Sequence, residues 1–233
     1  MSESRMYSYI CETPEVLRNI ICNRKEITEQ FTAYAKDKDI QQIYVLGSGT
    51  SYHAGLSAKN YLEELLGMKV FCMYPTQFER SEKVFNKHTL VIGMSQGGQS
   101  LSTVAGLDAA RKQGLYTAAV SENPSALIFE HADTRTLIQV GNEQCGAKTK
   151  GYAGTTVTLM MMLTELALEK GIVSKEKAEA YFERMYRVID NLGNVTKAAV
   201  EWYGRIRDEF LPAKRIIVVG YVCRRIGGRI KNT

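Results

Sequence analysis

Two short loops rich in serine and glycine hold the residue types best suited to chemistry in this chain. Backbone N–H groups at glycines and hydroxyls at serines can bind phosphate oxygens. Neither loop contains a lysine, an arginine or an acid, so phosphate would be held by neutral donors without the metal-and-lysine chemistry of nucleotide hydrolysis. Ordinary strand-to-helix turns use the same residue types, and that alternative stays open. The loops are Gly47-Ser48-Gly49-Thr50-Ser51 and Ser95-Gln96-Gly97-Gly98-Gln99-Ser100, the latter followed by Ser102.

A dinucleotide site is the main rival interpretation of the first loop. Gly47 and Gly49 fit the start of the G-x-G-x-x-G fingerprint, but its third glycine would fall at Tyr52. The ribose-binding acid expected after the second strand is missing, since that strand leads into Tyr74 and Pro75. The sequence G-x-x-x-x-G-K-[ST] does not occur. An NAD-dependent oxidoreductase is therefore a weaker hypothesis.

A third segment places one carboxylate and two amines after the last predicted strand. They belong to Glu143, Lys148 and Lys150, and taken alone they also fit a solvated loop. No C-x-x-C pair is present, so we expect no metal site, and we expect no cofactor. The histidines lie too far apart in sequence to suggest a ligand pair or a triad, and they are His53, His88 and His131.

These loops must be positioned by alternating strands and helices. Short apolar runs separated by helical patterns predict an α/β fold, an open doubly wound parallel sheet of five strands of the flavodoxin-like type. Ligands of such sheets bind beyond the carboxyl ends of the strands, where both loops fall. The predicted strands are 43–46, 70–73, 89–94, 116–120 and 134–140, and the predicted helices between them are 50–66, a helix through Gln113 and 124–130.

Helices flank this unit on both sides. Thr13 and Pro14 predict the start of a helix that reaches about Tyr34. Further helices are predicted over 153–170 and from Ser174 to about Phe210, with a break near Gly193. Residues 215–221 resemble 42–48 and predict the first strand of a second, truncated copy of the fold. The predicted segments are 1–40 (helical), 41–172 (the α/β domain with both loops), 173–212 (helical connector) and 213–233 (beginning of the second domain).

Composition narrows the class of protein. A hydrophobic fraction of 45% and a charged fraction of 24% are ordinary for a globular chain. The net charge of +5 is spread without a basic block, so we expect no nucleic-acid partner. Five dispersed cysteines fit a reducing compartment, and the polar start lacks a signal-peptide pattern. No apolar run approaches membrane-spanning length, and we expect a cytoplasmic protein.

Three motifs in this order resemble the SIS (sugar isomerase) domain family. The likeness is to the isomerase half of glucosamine-6-phosphate synthase and to fructosamine-phosphate deglycases, and it covers about residues 43–170. In that family the motifs read like C-G-T-S-Y-x-A-G, S-Q-S-G-E-T-A-D-T and G-x-E-x-x-V-A-S-T-K. They correspond here to 47–55, 95–103 and 141–150.

The resemblance assigns roles residue by residue. It implies phosphate binding by Ser95, Gln96 and Ser100, and sugar binding by Thr50 and Ser51. The candidate binding site also includes Lys148 and the neighbouring loop positions Ser48, Gly49, Gly97, Gly98 and Gln99. Glu143 matches the family's loop glutamate and Lys150 the lysine of its T-K pair, which makes them the candidate catalytic residues.

Departures from the motifs suggest a substrate unlike glucosamine 6-phosphate. Gly97 replaces a phosphate-binding serine, Gln99 and Ser102 replace two acids, and Lys148 replaces a serine near the sugar. These changes favour a substrate with a negative charge of its own. The family's acid–base glutamate belongs to its second repeat, so we expect binding without complete catalysis in this chain.

The leading hypothesis is a phosphosugar isomerase or deglycase. It would act on an amino-sugar or fructosamine 6-phosphate by acid–base catalysis at C1 and C2. A regulatory sugar-phosphate sensor is the alternative from another class. The resemblance also implies a homodimer or higher homo-oligomer.

Overall fold

The computed structural model describes residues 5–81 and 86–215, together with residue 217. Five strands and seven α-helices form this part of the chain. The strands are β1 Gln42–Leu46, β2 Lys69–Met73, β3 Thr89–Met94, β4 Tyr116–Ser121 and β5 Thr134–Leu137. The helices are α1 Arg5–Cys22, α2 Arg24–Ala35, α3 Thr50–Leu66, α4 Pro75–Ser81, α5 Leu101–Lys112, α6 Lys150–Glu169 and α7 Lys175–Phe210, and a 3-10 helix spans Leu127–His131.

All five strands pair in parallel in the order β2-β1-β3-β4-β5. This is the flavodoxin-like order, so the predicted α/β fold class is confirmed. From β1 the chain adds β2 on one side of the sheet and then β3, β4 and β5 on the other, so the strand order reverses between β1 and β3. Ligands of such folds bind in the crevice at that switch point. The loops that follow β1 and β3 are the two serine- and glycine-rich loops, so the topology brings them side by side.

Helices cover both faces of the sheet, as a parallel sheet requires. Ile43 and Val45 of β1 join a core with α1, α2, α3, α6 and α7. Tyr44 and Leu46 point to the opposite face, where Phe78 of α4 packs. The strand residues therefore alternate between two buried layers.

Glycines at two places let the helices after β1 and β3 approach the sheet. A Cβ on Gly55 of α3 would lie 2.9 Å from the Val45 side chain, and one on Gly93 of β3 would lie 2.8 Å from Leu107 of α5. Close packing of α3 and α5 fixes the start of each helix relative to the strand before it. The two loops consequently have a rigid base.

The amino-terminal flank differs from the prediction. Thr13 and Pro14 do not start a helix but lie inside α1, and the helical flank is divided at Asn23 into α1 and α2. The Thr13 hydroxyl donates to the Tyr9 carbonyl at 2.9 Å within this helix. The residues before Thr13 contact residues 141–150, as described below. These contacts stabilise a helical turn at a place where the Thr-Pro pattern predicts the end of a loop.

Four further boundaries were predicted wrongly. Strand β5 ends at Leu137, three residues before the predicted end. The predicted break at Gly193 is absent, because α7 continues through it to Phe210. Helix α6 begins at Lys150, three residues before the predicted start, and the predicted helix 124–130 is the 3-10 turn Leu127–His131. The strand predicted over 215–221 lies outside the described residues apart from Arg215 and Ile217.

Candidate functional site

The loop after β1 places small polar groups at the switch point. Ser48, Gly49 and Thr50 are exposed, whereas Ser51 is buried in the first turn of α3. Gly49 has a φ of 55°, which favours glycine, and its carbonyl accepts the His53 N–H at 3.1 Å. The loop therefore turns sharply into α3, with Ser48 and Thr50 exposed and Ser51 buried.

The loop after β3 is held by its own backbone and by the next loop along the sheet. Gly98 has a φ of 75°, and its N–H donates to the Ser95 carbonyl at 3.0 Å and to Ser95 Oγ at 3.2 Å. A Cβ at Gly98 would overlap the Ala126 side chain. The Gly98 carbonyl accepts the Ile128 N–H at 3.1 Å. Glycine is required here both by the backbone conformation and by the close approach of residue 126.

Ser100 caps the amino end of α5. Its Oγ accepts the Thr103 N–H at 3.4 Å and the Thr103 hydroxyl at 3.0 Å, and lies 3.2 Å from Ser102 Oγ. The first N–H groups of a helix have no intrahelical acceptor and carry the positive end of the helix dipole. This end of α5 combines those N–H groups with two hydroxyls and the exposed Gly97 and Gln99.

The Gln96 side chain is bound by the protein. It is 7% exposed, and its Nε2 donates to Glu122 Oε2 at 2.8 Å. The backbone carbonyl of Gln96 accepts the Ser121 hydroxyl at 2.9 Å and the Glu122 N–H at 2.9 Å. Gly151 leaves the space that the amide fills, since a Cβ there would overlap it. Gln96 thus joins the loop after β3 to the end of β4 and the start of α6.

Glu143 caps α6 from the preceding loop. Its Oε1 accepts the Thr149 N–H and the Thr149 hydroxyl, both at 2.6 Å, and its Oε2 accepts the Gly151 N–H at 2.9 Å. Burial of this residue, which is 4% exposed, acts to raise the pKa of the carboxyl. Hydrogen bonds from Thr149, Gly151 and Gln96 outweigh burial, and the pKa of Glu143 is lowered. The carboxylate stays ionised as part of the helix cap.

The two lysines of this segment point to protein groups. Lys148 Nζ donates to the Glu143 carbonyl at 2.8 Å. Lys150 is 5% exposed, and its Nζ contacts α1, where it pairs with Glu12 at 2.7 Å and lies 4.8 Å from the centre of the Tyr9 ring. The Tyr9 hydroxyl also accepts the Gln144 N–H at 3.1 Å. Helix α1 therefore fixes this loop in place, and the Lys150 ammonium is paired with a carboxylate of α1.

The structure brings most candidate residues to one edge of the sheet, with some exceptions. The loops after β1 and β3 adjoin through strand pairing, and the Gln96 side chain lies against Gly151, whose N–H donates to Glu143. Lys150 is directed to α1 instead, and His53 packs against Tyr52 with ring centroids 5.4 Å apart. Sequence reasoning missed Glu122, although its position directly after β4 placed it at the binding edge.

A family model for the SIS domain matches residues 38–168. The chain belongs to the SIS domain family. Its strand order and the positions of its three motifs agree with that assignment, and the family likeness expected from the motifs is confirmed. Its relatives include phosphosugar isomerases and aminotransferases.

The similarity to relatives of known name or structure spans most of this chain but only about a third to two thirds of each relative's length. A glutamine–fructose-6-phosphate aminotransferase (isomerizing) from Clostridium tetani is 31% identical over 191 residues, 79% of this chain and 31% of that protein. A protein from Clostridium difficile 630 described as a candidate phosphosugar isomerase has a TM-score of 0.81 and 36% identity, covering 88% of this chain and 57% of that one. A candidate sugar-binding protein from Salmonella typhimurium LT2 has a TM-score of 0.76 and 27% identity, covering 88% and 62%.

The described residues contain neither a membrane-spanning helix nor a cluster of metal ligands. No helix there has the length and apolarity needed to cross a bilayer. No group of three or more histidine, cysteine, aspartate or glutamate side chains in the same residues is arranged to hold a metal ion.

Proposed function

We propose that this chain binds a sugar phosphate at the carboxyl ends of β1 and β3. The observation that carries the proposal is the amino end of α5, where Ser100 and Ser102 hydroxyls adjoin unpaired helix N–H groups at the switch point of the sheet. The phosphate would lie on this end of the helix, and the sugar would extend past Thr50 and Ser51. Membership of the SIS family supports the same ligand class.

The chemistry of the loop suits a dianion that must be released again. Helix N–H groups and hydroxyls attract a phosphate through the helix dipole and short hydrogen bonds without a buried cation. Gly98 keeps the loop closed around Ser95, so the donors are preorganised and little conformational entropy would be lost on binding. Affinity would arise mainly from geometry at this position.

The proposed reaction class is isomerisation or deglycation of an amino-sugar or fructosamine 6-phosphate. The similarity to the Clostridium tetani isomerizing aminotransferase and the Clostridium difficile candidate phosphosugar isomerase supports that class. In both reactions a positioned acid or base moves a proton between C1 and C2 of an open-chain sugar. In deglycation this transfer gives a C1 imine, which water hydrolyses to the aldose phosphate and the free amine. Anchoring the phosphate would place those carbons for the transfer.

Glu143 and Lys150 are the candidate catalytic residues, and their geometry favours positioning roles. A carboxylate with a lowered pKa that accepts three hydrogen bonds from Thr149 and Gly151 is a weak proton acceptor. The Lys150 ammonium is paired with Glu12. We therefore propose that this chain supplies binding and that proton transfer needs a further group.

The test compares two serines that cap helices in the same way. Ser100 caps α5 at the proposed phosphate site, whereas Ser174 caps α7 and accepts the Lys177 N–H at 3.2 Å. Either substitution by alanine costs about 0.5–2 kcal/mol of stability. Calorimetric titration with fructose 6-phosphate should show at least tenfold weaker binding for Ser100→Ala and unchanged binding for Ser174→Ala. Equal affinities in both variants would contradict the proposed phosphate position.

Gly97→Ser supplies a complementary gain of binding. A Cβ at Gly97 meets no atom within 4 Å, and its φ is not among the positive values. Serine should fit and add one hydroxyl donor, which contributes about 0.5–1.5 kcal/mol, or roughly two- to tenfold tighter phosphate binding. The same titration measures the change, and weaker binding would show that the phosphate lies elsewhere.

The alternative functions are separated by the same assay. Binding of NAD without binding of any sugar phosphate would favour an oxidoreductase. Binding of a sugar phosphate that alters the affinity for a macromolecular partner would favour a regulatory sensor.

A further inference from the structure

Glu122 is an acidic residue at the site that the sequence motifs do not include. It follows β4 directly and is half-buried. Its N–H donates to the Gln96 carbonyl at 2.9 Å, and its Oε2 accepts Gln96 Nε2 at 2.8 Å. Both its backbone and its side chain are therefore fixed to the loop proposed to bind phosphate.

Its surroundings differ from those of Glu143. Glu143 is 4% exposed and accepts hydrogen bonds from the start of α6. Glu122 is more accessible, and no lysine, arginine or histidine forms a salt bridge with it within residues 5–81 and 86–215. The Gln96 amide lies against Gly151, whose N–H donates to Glu143, so Gln96 stands between the two carboxylates and donates a hydrogen bond to Glu122.

The site consequently has two poles. The amino end of α5 attracts an anion, and the carboxylate after β4 attracts a cation. Neighbouring strands lie about 4.8 Å apart, so the ends of β3 and β4 are within the span of one hexose chain. An isolated carboxylate beside a phosphate would weaken binding by repulsion, and a positive group on the ligand would offset that cost.

We infer that Glu122 is a specificity-determining residue that pairs with the ammonium group of an amino-sugar phosphate. The inference rests on the proposed function, and it adds that the ligand carries a positive charge at the end away from its phosphate. A carboxylate and an ammonium form a charge-assisted hydrogen bond, which is stronger than a neutral one. The ligand class is then a hexose phosphate with a positively charged amine, in contrast to the substrate with a negative charge of its own that the motif departures predict.

Three ligands isolate the ammonium group. Glucosamine 6-phosphate carries it, N-acetylglucosamine 6-phosphate has it neutralised by an acyl group, and fructose 6-phosphate lacks nitrogen. In calorimetric titrations, the wild-type chain should bind glucosamine 6-phosphate about tenfold more tightly than either of the other two ligands, a difference equivalent to about 1.4 kcal/mol. Glu122→Gln should abolish this preference and leave fructose 6-phosphate within about twofold, since glutamine can still accept the Gln96 hydrogen bond.

The matched control is a second glutamate outside the site. Glu130→Gln removes the same charge from an exposed position on the 3-10 helix and should preserve the preference. A wild-type chain without the preference, or a Glu122→Gln variant that keeps it, would overturn the inference while fructose 6-phosphate binding still supports the proposed function. Equal loss of all three ligands in Glu122→Gln would also overturn it, because Glu122 would then act only through the loop. Failure of all three to bind the wild-type chain would refute both proposals.

Discussion

At the scale of single residues, Glu143 shows how a loop carboxylate stabilises the fold around the site. It accepts hydrogen bonds from Thr149 and Gly151 and carries a pKa below the ordinary value for a glutamate. A depressed pKa means that the ionised form is more stable in the folded chain than in the unfolded one. The contribution is present above the unfolded pKa of about 4.3 and is lost as the pH falls through the lower folded pKa.

Glu143→Gln should therefore reduce stability most at neutral pH. The glutamine NH₂ group would oppose the donors of the helix cap, and we expect a loss of about 1–3 kcal/mol in the free energy of unfolding at pH 7. The variant should also lose less stability than the wild type between pH 5 and pH 3. Urea unfolding at several pH values measures both effects, with the exposed Glu15→Gln as the control. Parallel pH profiles for wild type and Glu143→Gln would show that the cap carries no stabilising charge.

At the scale of elements, the sheet and its first helices could be predicted from local sequence. The strand over Thr89–Met94 and the helix over Thr50–Leu66 have the predicted bounds, and Gly67 adopts the left-handed conformation typical of a helix end. These segments have apolar runs or helical spacing bounded by glycine, so local signals and tertiary packing agree. The same agreement placed the two loops at the binding edge of the sheet.

Other features depend on contacts between distant residues, which a pattern along the chain does not contain. Pro14 predicted a helix start, but Lys150 pairs with Glu12 and holds the turn before it in α1. Glu122 and Gly151 became part of the site only through Gln96, which contacts both. Glycine at 193 weakened the helical pattern without ending it.

Gly193 therefore costs α7 stability. The helix passes through it, and a Cβ there meets no atom within 4 Å. Gly193→Ala should raise the free energy of unfolding by about 0.5–1 kcal/mol, because alanine loses less backbone entropy in a helix. Thermal unfolding would detect the gain, and a destabilised variant would argue for the originally predicted break.

At the scale of the whole molecule, α7 presents an apolar surface that the described residues leave exposed. Val188, Val195 and Trp202 are 61%, 53% and 52% exposed and recur every seven residues along one stripe of the helix. Such a stripe suits packing against another helix. The homo-oligomer implied by the family resemblance stays a prediction, and this stripe is where it would place an interface.

The division between binding and proton transfer is also a property of the whole chain. In D₂O, an enzyme that shuttles a proton between C1 and C2 of fructose 6-phosphate exchanges the C1 hydrogen for deuterium. Because Glu143 is committed to the α6 cap and Lys150 to Glu12, we expect the chain to bind the sugar phosphate and leave C1 unexchanged. Proton NMR of the C1 signal measures the rate, and buffer without protein sets the background. Exchange above that background, removed by Glu143→Gln in a folded protein that still binds the ligand, would instead make Glu143 the base and this chain catalytically complete.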